Sequence, residues 1–473
     1  MTPSTVDLLF LTFNCAKALI NTPVFANHLE AAFGQNATDL PDLIVLSLQE
    51  VAPLSYAFIG DYFLRPYIER FDTAINQAAS QHVLKHEVPD LVSATERATQ
   101  RKRYELMKSK NVGYTAILLF AKDSSRIRDI KESEVGFGAA DMGNKGAVGL
   151  RTVYDAGESG SAELTFVATH LAAMEWNLPR RNANWASIMR CMTFGDPLPL
   201  LELMRSGSPP PSDGGTQEEG AGLLQGERNL PDFDMLQKQL QELSLFKPTS
   251  HLFVGGDLNY RISTSSPPPN AAFPSLDAGS DNYYPRFFDL DQLTREKAAG
   301  RTMHGLTEAP VHFPPTYKYD VLETDGKDGD TMDPVPWRFA PHRYPSWTDR
   351  ILYMDLPSWV APEQGRSIKV HAYDALPLMR TSDHRPVFLR IEAPMLSLSD
   401  LTPTTESLAT STDPRVRLPT ELDPEAWERR AAARRRELLL GWSMFLWSTK
   451  EGACILATFL VASLSAYWVY RSA

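Results

Sequence analysis

Five apolar runs in this sequence end on, or lead out of, side chains able to do chemistry. Asn14 follows LLFLTF, Gln49-Glu50 follows LIVLSL, Thr169-His170 follows LTFVA, Asp257-Leu258-Asn259 follows HLFVGG, and Ser382-Asp383-His384 stands just ahead of PVFLRI. Taken singly, each has an ordinary structural reading: Glu50 could open a loop, and Asp257 or Asp383 could cap a turn. Together they supply what metal-assisted phosphate chemistry requires, at strand ends where a rigid scaffold presents side chains to a common cleft. A hard cation such as Mg2+ takes one or two carboxylates and leaves its other positions to neutral oxygens, water and substrate. Glu50 is the natural anchor, with Asn14 as a neutral oxygen nearby. Hydrolysis also needs a group that orients or deprotonates water, and positive charge around the phosphoryl oxygens. Asp257 and Asn259, two apart in an extended segment, face the same side and suit the first task. His170 and His384 suit the second, with Asp349 as a carboxylate able to set the tautomer of His384. The residues alone leave open which group takes the proton.

Such a set needs strands to hold it. Apolar runs at 6–13, 43–48, 115–121, 147–154, 163–169, 251–254, 350–354 and 387–391 read as buried or half-buried strands. Residues 24–33, 55–79, 180–192 and 232–243 carry helical spacing between them. Many strands with interspersed helices predict an α+β fold, a two-sheet β-sandwich flanked by helices in four α/β/β/α layers. The catalytic domain is expected over residues 1–395, with low-complexity surface insertions near 206–222 and 263–281.

Downstream the composition changes. Residues 396–424 are rich in Ser, Thr, Pro and Asp and predict a flexible linker. Residues 425–451 bring Arg429, Arg430, Arg434, Arg435 and Arg436, then Leu438, Leu439, Leu440, Trp442, Phe445, Leu446 and Trp447. They predict a juxtamembrane amphipathic helix with its arginines near anionic headgroups. Residues 452–470 carry no charge over 19 positions, long enough at about 1.5 Å per residue to cross roughly 30 Å of hydrocarbon. Tyr467, Trp468 and Tyr470 sit at interface level, and Lys450 and Arg471 bracket the stretch. So close to the end of the chain, this transmembrane helix reads as a tail anchor inserted after synthesis, leaving the bulk of the protein in the cytosol. A moderately apolar span with a barely charged end points to the endoplasmic reticulum membrane, with the outer mitochondrial membrane second. The N-terminus does not read as a secretory signal. Three cysteines, Cys15, Cys191 and Cys454, are too few and too odd for a disulfide framework. A net charge of −11 gives no support to sequence-independent nucleic-acid binding.

The chemical residues lie within longer segments: TFNCAK (12–17), LQEV (48–51), GNKGAV (143–148), ATHLAA (168–173), GGDLNYRI (255–262), PPTYKYD (314–320), PSWTDRIL (345–352) and SDHRPV (382–387). In this order they resemble the inositol polyphosphate 5-phosphatase family of the endonuclease/exonuclease/phosphatase superfamily. The resemblance implies Mg2+-dependent removal of the 5-phosphate from an inositol phospholipid. Residue by residue, it implies Asn14 and Glu50 at the Mg2+, Asp257 and Asn259 at the attacking water, and His170 and His384 at the scissile phosphate. Asp349 would support His384, with Asp383 beside it in SDHRPV. Lys145 is similar to the family lysine that meets a 1-phosphate, and Tyr317, Lys318 and Arg343 match residues that meet a 4-phosphate. Arg385 is expected to support the site by ion pairing. Pro341 departs from the family, which usually has a lysine there. WTDR replaces the commoner WCDR, and residues 322–336 form an Asp- and Gly-rich stretch of unfamiliar spacing.

The chemistry of the substrate agrees. Lys145, Lys318 and Arg343 would concentrate a vicinal 4,5-bisphosphate by local charge, and a membrane tether raises the effective concentration of a lipid substrate. Phosphatidylinositol 4,5-bisphosphate, converted to phosphatidylinositol 4-phosphate at a cytosol-facing membrane, is therefore the expected substrate. One rival is a phosphodiesterase of the same superfamily, a nuclease or sphingomyelinase, against which PPTYKYD and GNKG argue. The other is a catalytically silent lipid-binding tether, against which the full polar set argues.

Overall fold

A computed structural model of the chain describes residues 4–37, 39–86, 102–207, 233–323, 333–360 and 367–472. Its strands are β1 (Thr5–Asn14), β2 (Leu43–Gln49), β3 (Glu105–Val112), β4 (Thr115–Ala121), β5 (Ile127–Gly136), β6 (Gly146–Asp155) and β7 (Ser161–His170). They continue as β8 (Ser250–Asp257), β9 (Leu306–Thr307), β10 (Tyr319–Val321), β11 (Trp337–Phe339), β12 (Asp349–Met354), β13 (Lys369–Ala375) and β14 (Val387–Pro394). One sheet has the order β13-β14-β1-β2-β4-β3, the other β5-β6-β7-β8-β12-β9, and β10 pairs with β11 alone.

Side chains alternate along each central strand, because successive Cβ atoms point to opposite faces. In β1, Val6, Leu8 and Phe10 face the second sheet, while Leu9, Leu11 and Phe13 face helices α1 (Thr22–Phe33) and α3 (Arg65–His86). Opposite them, Leu164, Phe166 and Phe253 fill the layer between the sheets. Phe10 lies 6.3 Å from Phe166, which stacks on Phe253 at 5.7 Å. Gly255 lets the sheets close at that point, since a Cβ there would lie 2.6 Å from the Phe10 ring. The outer face of the second sheet, including Val167, Leu252 and Val254, packs against Trp185, Ile188 and Met189 of α4 (Leu178–Cys191). This is the predicted α/β/β/α order.

Each sheet contains one parallel pair, β1 with β2 and β7 with β8, while their other neighbours are antiparallel. A parallel pair ends both strands at the same edge. Asn14 therefore stands beside Gln49, and His170 beside Asp257. Antiparallel β12 starts there, with Asp349 opposite Asp257.

Several expectations need correction. The single helix expected over 55–79 is two, α2 (Leu54–Ile59) and α3, broken where Gly60 takes φ 87° and a 3-10 turn follows at Asp61–Phe63. Most of the 206–222 insertion lies outside the described residues, while 263–281 is a surface loop.

Residues 396–424 are not a free tether. Leu396 and Leu401 pack with Val360. Buried Arg415 pairs with Asp413 at 2.7 Å, donates to the Asp355 carbonyl at 2.7 Å and lies over the Trp359 ring. Its few apolar and charged anchors are enough to strap the segment down, which average composition hides.

Helix α5 (Ala426–Ser448) turns three of its five arginines inward, while Arg435 and Arg436 are exposed. Arg429 pairs with Asp423 and Asp141, Arg430 with Glu134 and Glu437, and Arg434 caps the carbonyls of Phe58 and Ile59. A residue larger than Gly441 would press a Cβ to 2.9 Å from Phe58 of α2. Helix α6 (Lys450–Ser472) follows after a break at Thr449 and is long and apolar enough to cross a membrane. It is exposed along its length, with Phe459, Leu460, Val461 and Trp468 all uncovered.

Candidate active site

Asn14, at the end of β1, donates its Nδ2 to Asp257 Oδ2 at 3.1 Å and so links the two sheets at their shared edge. Its Oδ1 accepts the Ala16 N–H at 3.1 Å. Asp257 also has His170 Nε2 3.2 Å from Oδ2, and its Oδ1 accepts the Asn259 backbone N–H at 3.1 Å. Burial alone would raise the Asp257 pKa. The bond from His170 and the charges of His384, His170 and Lys145 outweigh it and hold the carboxyl well below the usual range. Lys145 also lies against His170 Nε2. Burial, reinforced by the Lys145 charge, holds the His170 pKa below its ordinary value against the opposing pull of Asp257. Burial lowers Lys145 to about 8 against the attraction of Asp257 and Glu50.

Glu50 follows β2 at φ 46°, in the left-handed region that side chains other than Gly, Asn and Asp rarely enter. Such strain persists where surrounding structure over-determines it, often at functional positions. Its carboxylate pairs with Lys17 at 2.9 Å. Burial would raise its pKa, but His170, Lys17 and Lys145 together lower it, so it is ionised at neutral pH. A partly exposed, permanently charged carboxylate with an amide oxygen at the neighbouring strand end is a hard oxygen donor set, which fits Mg2+ or Ca2+ better than a thiophilic metal.

The second half of the site comes from β12 and the turn before β14. His384 Nδ1 meets Asp349 Oδ2 at 2.9 Å, and the same oxygen accepts Thr316 Oγ1 and Thr348 Oγ1 at 2.7 and 2.8 Å. Burial lowers His384, yet Asp349, with Asp257 and Asp383, raises it to about 9. Burial raises Asp349 against the pull of His384. The pair therefore keeps its shared proton on the imidazole. Ser382 Oγ donates to the Asn14 carbonyl at 2.6 Å and accepts the His384 N–H at 3.1 Å, which fastens this turn to β1. Asp257, Asp349 and His384 also place ligand atoms within 4.8 Å of one another. Within this trio Asp349 is paired with His384, while Asp257 is paired with His170.

The expected 4-phosphate residues are less united. The Tyr317 ring lies 4.5 Å from His384, and Lys318 pairs with Asp383 beside an open cavity of about 620 Å³ that also takes in Ala16, Arg338 and Ser382. Arg343 instead pairs with buried Glu175 at 3.4 Å and donates to Ser266 at 3.2 Å. Asn259 was expected to handle water with its side chain. Its amide is tied at both ends, to the Leu171 carbonyl and to Arg261, so its backbone N–H is what serves Asp257. Arg385 makes backbone bonds to Leu376 and Ala375 where an ion pair was expected. Two contributors went unassigned in the sequence. Arg261, over the Tyr317 ring at 4.3 Å, lies two residues beyond Asn259, and Lys17 closes the TFNCAK segment. A cavity of about 710 Å³ lined by Tyr62, Arg65, Glu134 and Arg434 contains none of the residues expected in the site.

This fold and polar edge define a class. The chain belongs to endonuclease/exonuclease/phosphatase family 2, whose profile matches residues 11–390. Among its relatives, inositol-1,4,5-trisphosphate 5-phosphatase 1 of Schizosaccharomyces pombe is 29% identical over 61% of this chain and 20% of its own length. Type II inositol polyphosphate 5-phosphatase 15 of Arabidopsis thaliana is 32% identical over 53% of this chain and 20% of its own. Polyphosphatidylinositol phosphatase INP53 of Saccharomyces cerevisiae is 27% identical over 76% and 24%. The chain thus spans about a quarter or less of the length of these relatives. The same fold is seen in the crystal structure of the inositol polyphosphate 5-phosphatase domain of synaptojanin with inositol (1,4)-bisphosphate and calcium ion. That match has a TM-score of 0.50 at 22% identity, covering 92% of this chain and 90% of that one.

Proposed function

We propose that this protein is a Mg2+-dependent phosphoinositide 5-phosphatase that converts phosphatidylinositol 4,5-bisphosphate to phosphatidylinositol 4-phosphate. The single observation carrying the reading is the edge where Asp257 bonds Asn14 and meets His170, within reach of the His384–Asp349 pair. Asp257, kept ionised, accepts a hydrogen bond from the attacking water and aligns it. The water oxygen bonds to phosphorus as the bond to the inositol 5-oxygen breaks, and one proton of the water ends on that leaving oxygen. His384, kept protonated, donates to the phosphoryl oxygens, and Lys145 is assigned to a 1-phosphate. Glu50 and Asn14 would hold the Mg2+, which when bound neutralises charge on the phosphoryl group. Lys318, Tyr317 and Arg343 are assigned to the 4-phosphate.

Helix α6 supports a membrane setting, with the catalytic domain on the cytosolic face of the endoplasmic reticulum as the preferred location and the outer mitochondrial membrane second. The test is phosphate release from vesicles containing phosphatidylinositol 4,5-bisphosphate, compared with the 3,4,5-trisphosphate, soluble inositol trisphosphate and a phosphodiester, with and without Mg2+. Metal-dependent release from the bisphosphate lipid, with the diester intact, is the expected result. Cleavage of the diester in its place would move the protein to a different chemistry within the family.

A further inference from the structure

Among the contacts of helix α5 with the catalytic unit, one carboxylate reaches the loop that carries Lys145. Glu437 is completely buried, and its Oε1 accepts the backbone N–H of Gly143 at 2.7 Å, two residues ahead of Lys145. Arg430, two helical turns earlier on the same face, donates to both Glu437 oxygens at 2.6 and 2.8 Å. It also reaches the Asp141 carbonyl and Glu134, each at 3.0 Å. The Gly143 carbonyl accepts the Tyr114 N–H at 3.3 Å, and the Tyr114 carbonyl accepts the Val51 N–H at 3.2 Å, next to Glu50. Gly143 has no room for a side chain, since a Cβ would lie 2.8 Å from Val112 and 2.9 Å from the Gly113 nitrogen. A continuous line of contacts therefore runs from α5 through the Gly143 loop to the segment that presents Glu50.

We propose that Glu437 is a positioning residue for the reaction: it holds the Gly143 loop so that Lys145 stands at the phosphate pocket. The helix leading into the apolar span thereby becomes part of the active-site scaffold. A hydrogen bond to a charged acceptor is roughly twice as strong as a neutral one, and misplacing a substrate contact by about 1 Å can cost about 100-fold in rate. The inference rests on the assignment of Lys145 to a 1-phosphate, so its test separates the two.

With the full chain in detergent micelles, kcat and KM are measured for inositol 1,4,5-trisphosphate and for inositol 4,5-bisphosphate, which lacks the 1-phosphate. Lys145→Met should lower kcat/KM by about tenfold for the first substrate and by a smaller factor for the second. Glu437→Ala and the milder Glu437→Gln should shift the ratio the same way, and the Glu437→Ala/Lys145→Met double variant should lose less than the product of the two. Equal loss on both substrates, or full multiplication in the double variant, overturns the proposal. Amide exchange in the same proteins reads the coupling without turnover. Faster exchange confined to residues 138–147 in Glu437→Gln supports it. Unchanged exchange there, or faster exchange spread across the central strands, overturns it even in a chain that releases no phosphate. An inactive wild type would defeat the 5-phosphatase reading alone.

Discussion

His384 and Asp349 share one proton in a buried pair, and that has two measurable consequences. Activity that needs the imidazolium should fall as pH rises through about 9. Asp349→Asn should move that alkaline limb back towards the ordinary histidine value of about 6.5. The same pair affects stability. The folded pKa lies above the unfolded one, so its contribution is fully present below about pH 6.5 and lost as pH rises through about 9. Denaturant unfolding should find the charge-dependent deficit of Asp349→Asn larger near pH 6 than above pH 9. Asp257→Ala should abolish phosphate release while leaving membrane attachment unchanged, and equal turnover in the variant would remove Asp257 from the mechanism. At this scale the sequence was most informative, because strand-end residues announce themselves by following apolar runs. Asn14, Glu50, His170, Asp257 and His384 all reach the same edge. The engagement of Asn259 and Arg343 was not legible, since it depends on Leu171, Arg261 and Glu175 arriving from elsewhere in the fold.

The elements follow a similar division. Central strands have both faces buried and read as apolar runs. The unrecognised β3, β5, β9 and β13 all lie at sheet edges, where charged side chains discourage pairing with other chains. Lys108 and Lys110 of β3, for example, pair with Glu132 of β5 across the two sheets. Phe166 marks the opposite case. Its ring meets both Phe10 and Phe253, so Phe166→Ala should cost roughly 3–5 kcal/mol in chemical unfolding, and a loss under about 1 kcal/mol would show that the sheets can collapse around the cavity. Helix α5 was legible only in part, for a physical reason: an arginine looks the same in sequence whether it stays exposed, as Arg435 and Arg436 do, or meets a buried carboxylate, as Arg430 does. Glu437, the residue that decides between them, is one acid among many until its burial is seen.

Across the whole molecule, removing residues 452–473 should release a soluble and active protein. If that fragment still sedimented with membranes in high salt, α6 would not be the anchor. Cutting before α5 should be different, because it also removes the contacts to Gly143, Phe58 and Ile59. Kinetic comparison of the two truncations should find the shorter one impaired. A 29-residue random coil at 396–424 would have allowed the catalytic unit to wander roughly 30 Å from its anchor. The strap and the docked α5 leave only the break at Thr449 between the catalytic unit and α6. With α6 in a bilayer, an enzyme of the proposed kind would be short-armed: it would reach phosphate esters in its own leaflet and would not lean across a gap to an apposed membrane. Mixed vesicle populations, with enzyme in one and substrate in the other, should therefore stay unreacted until they fuse.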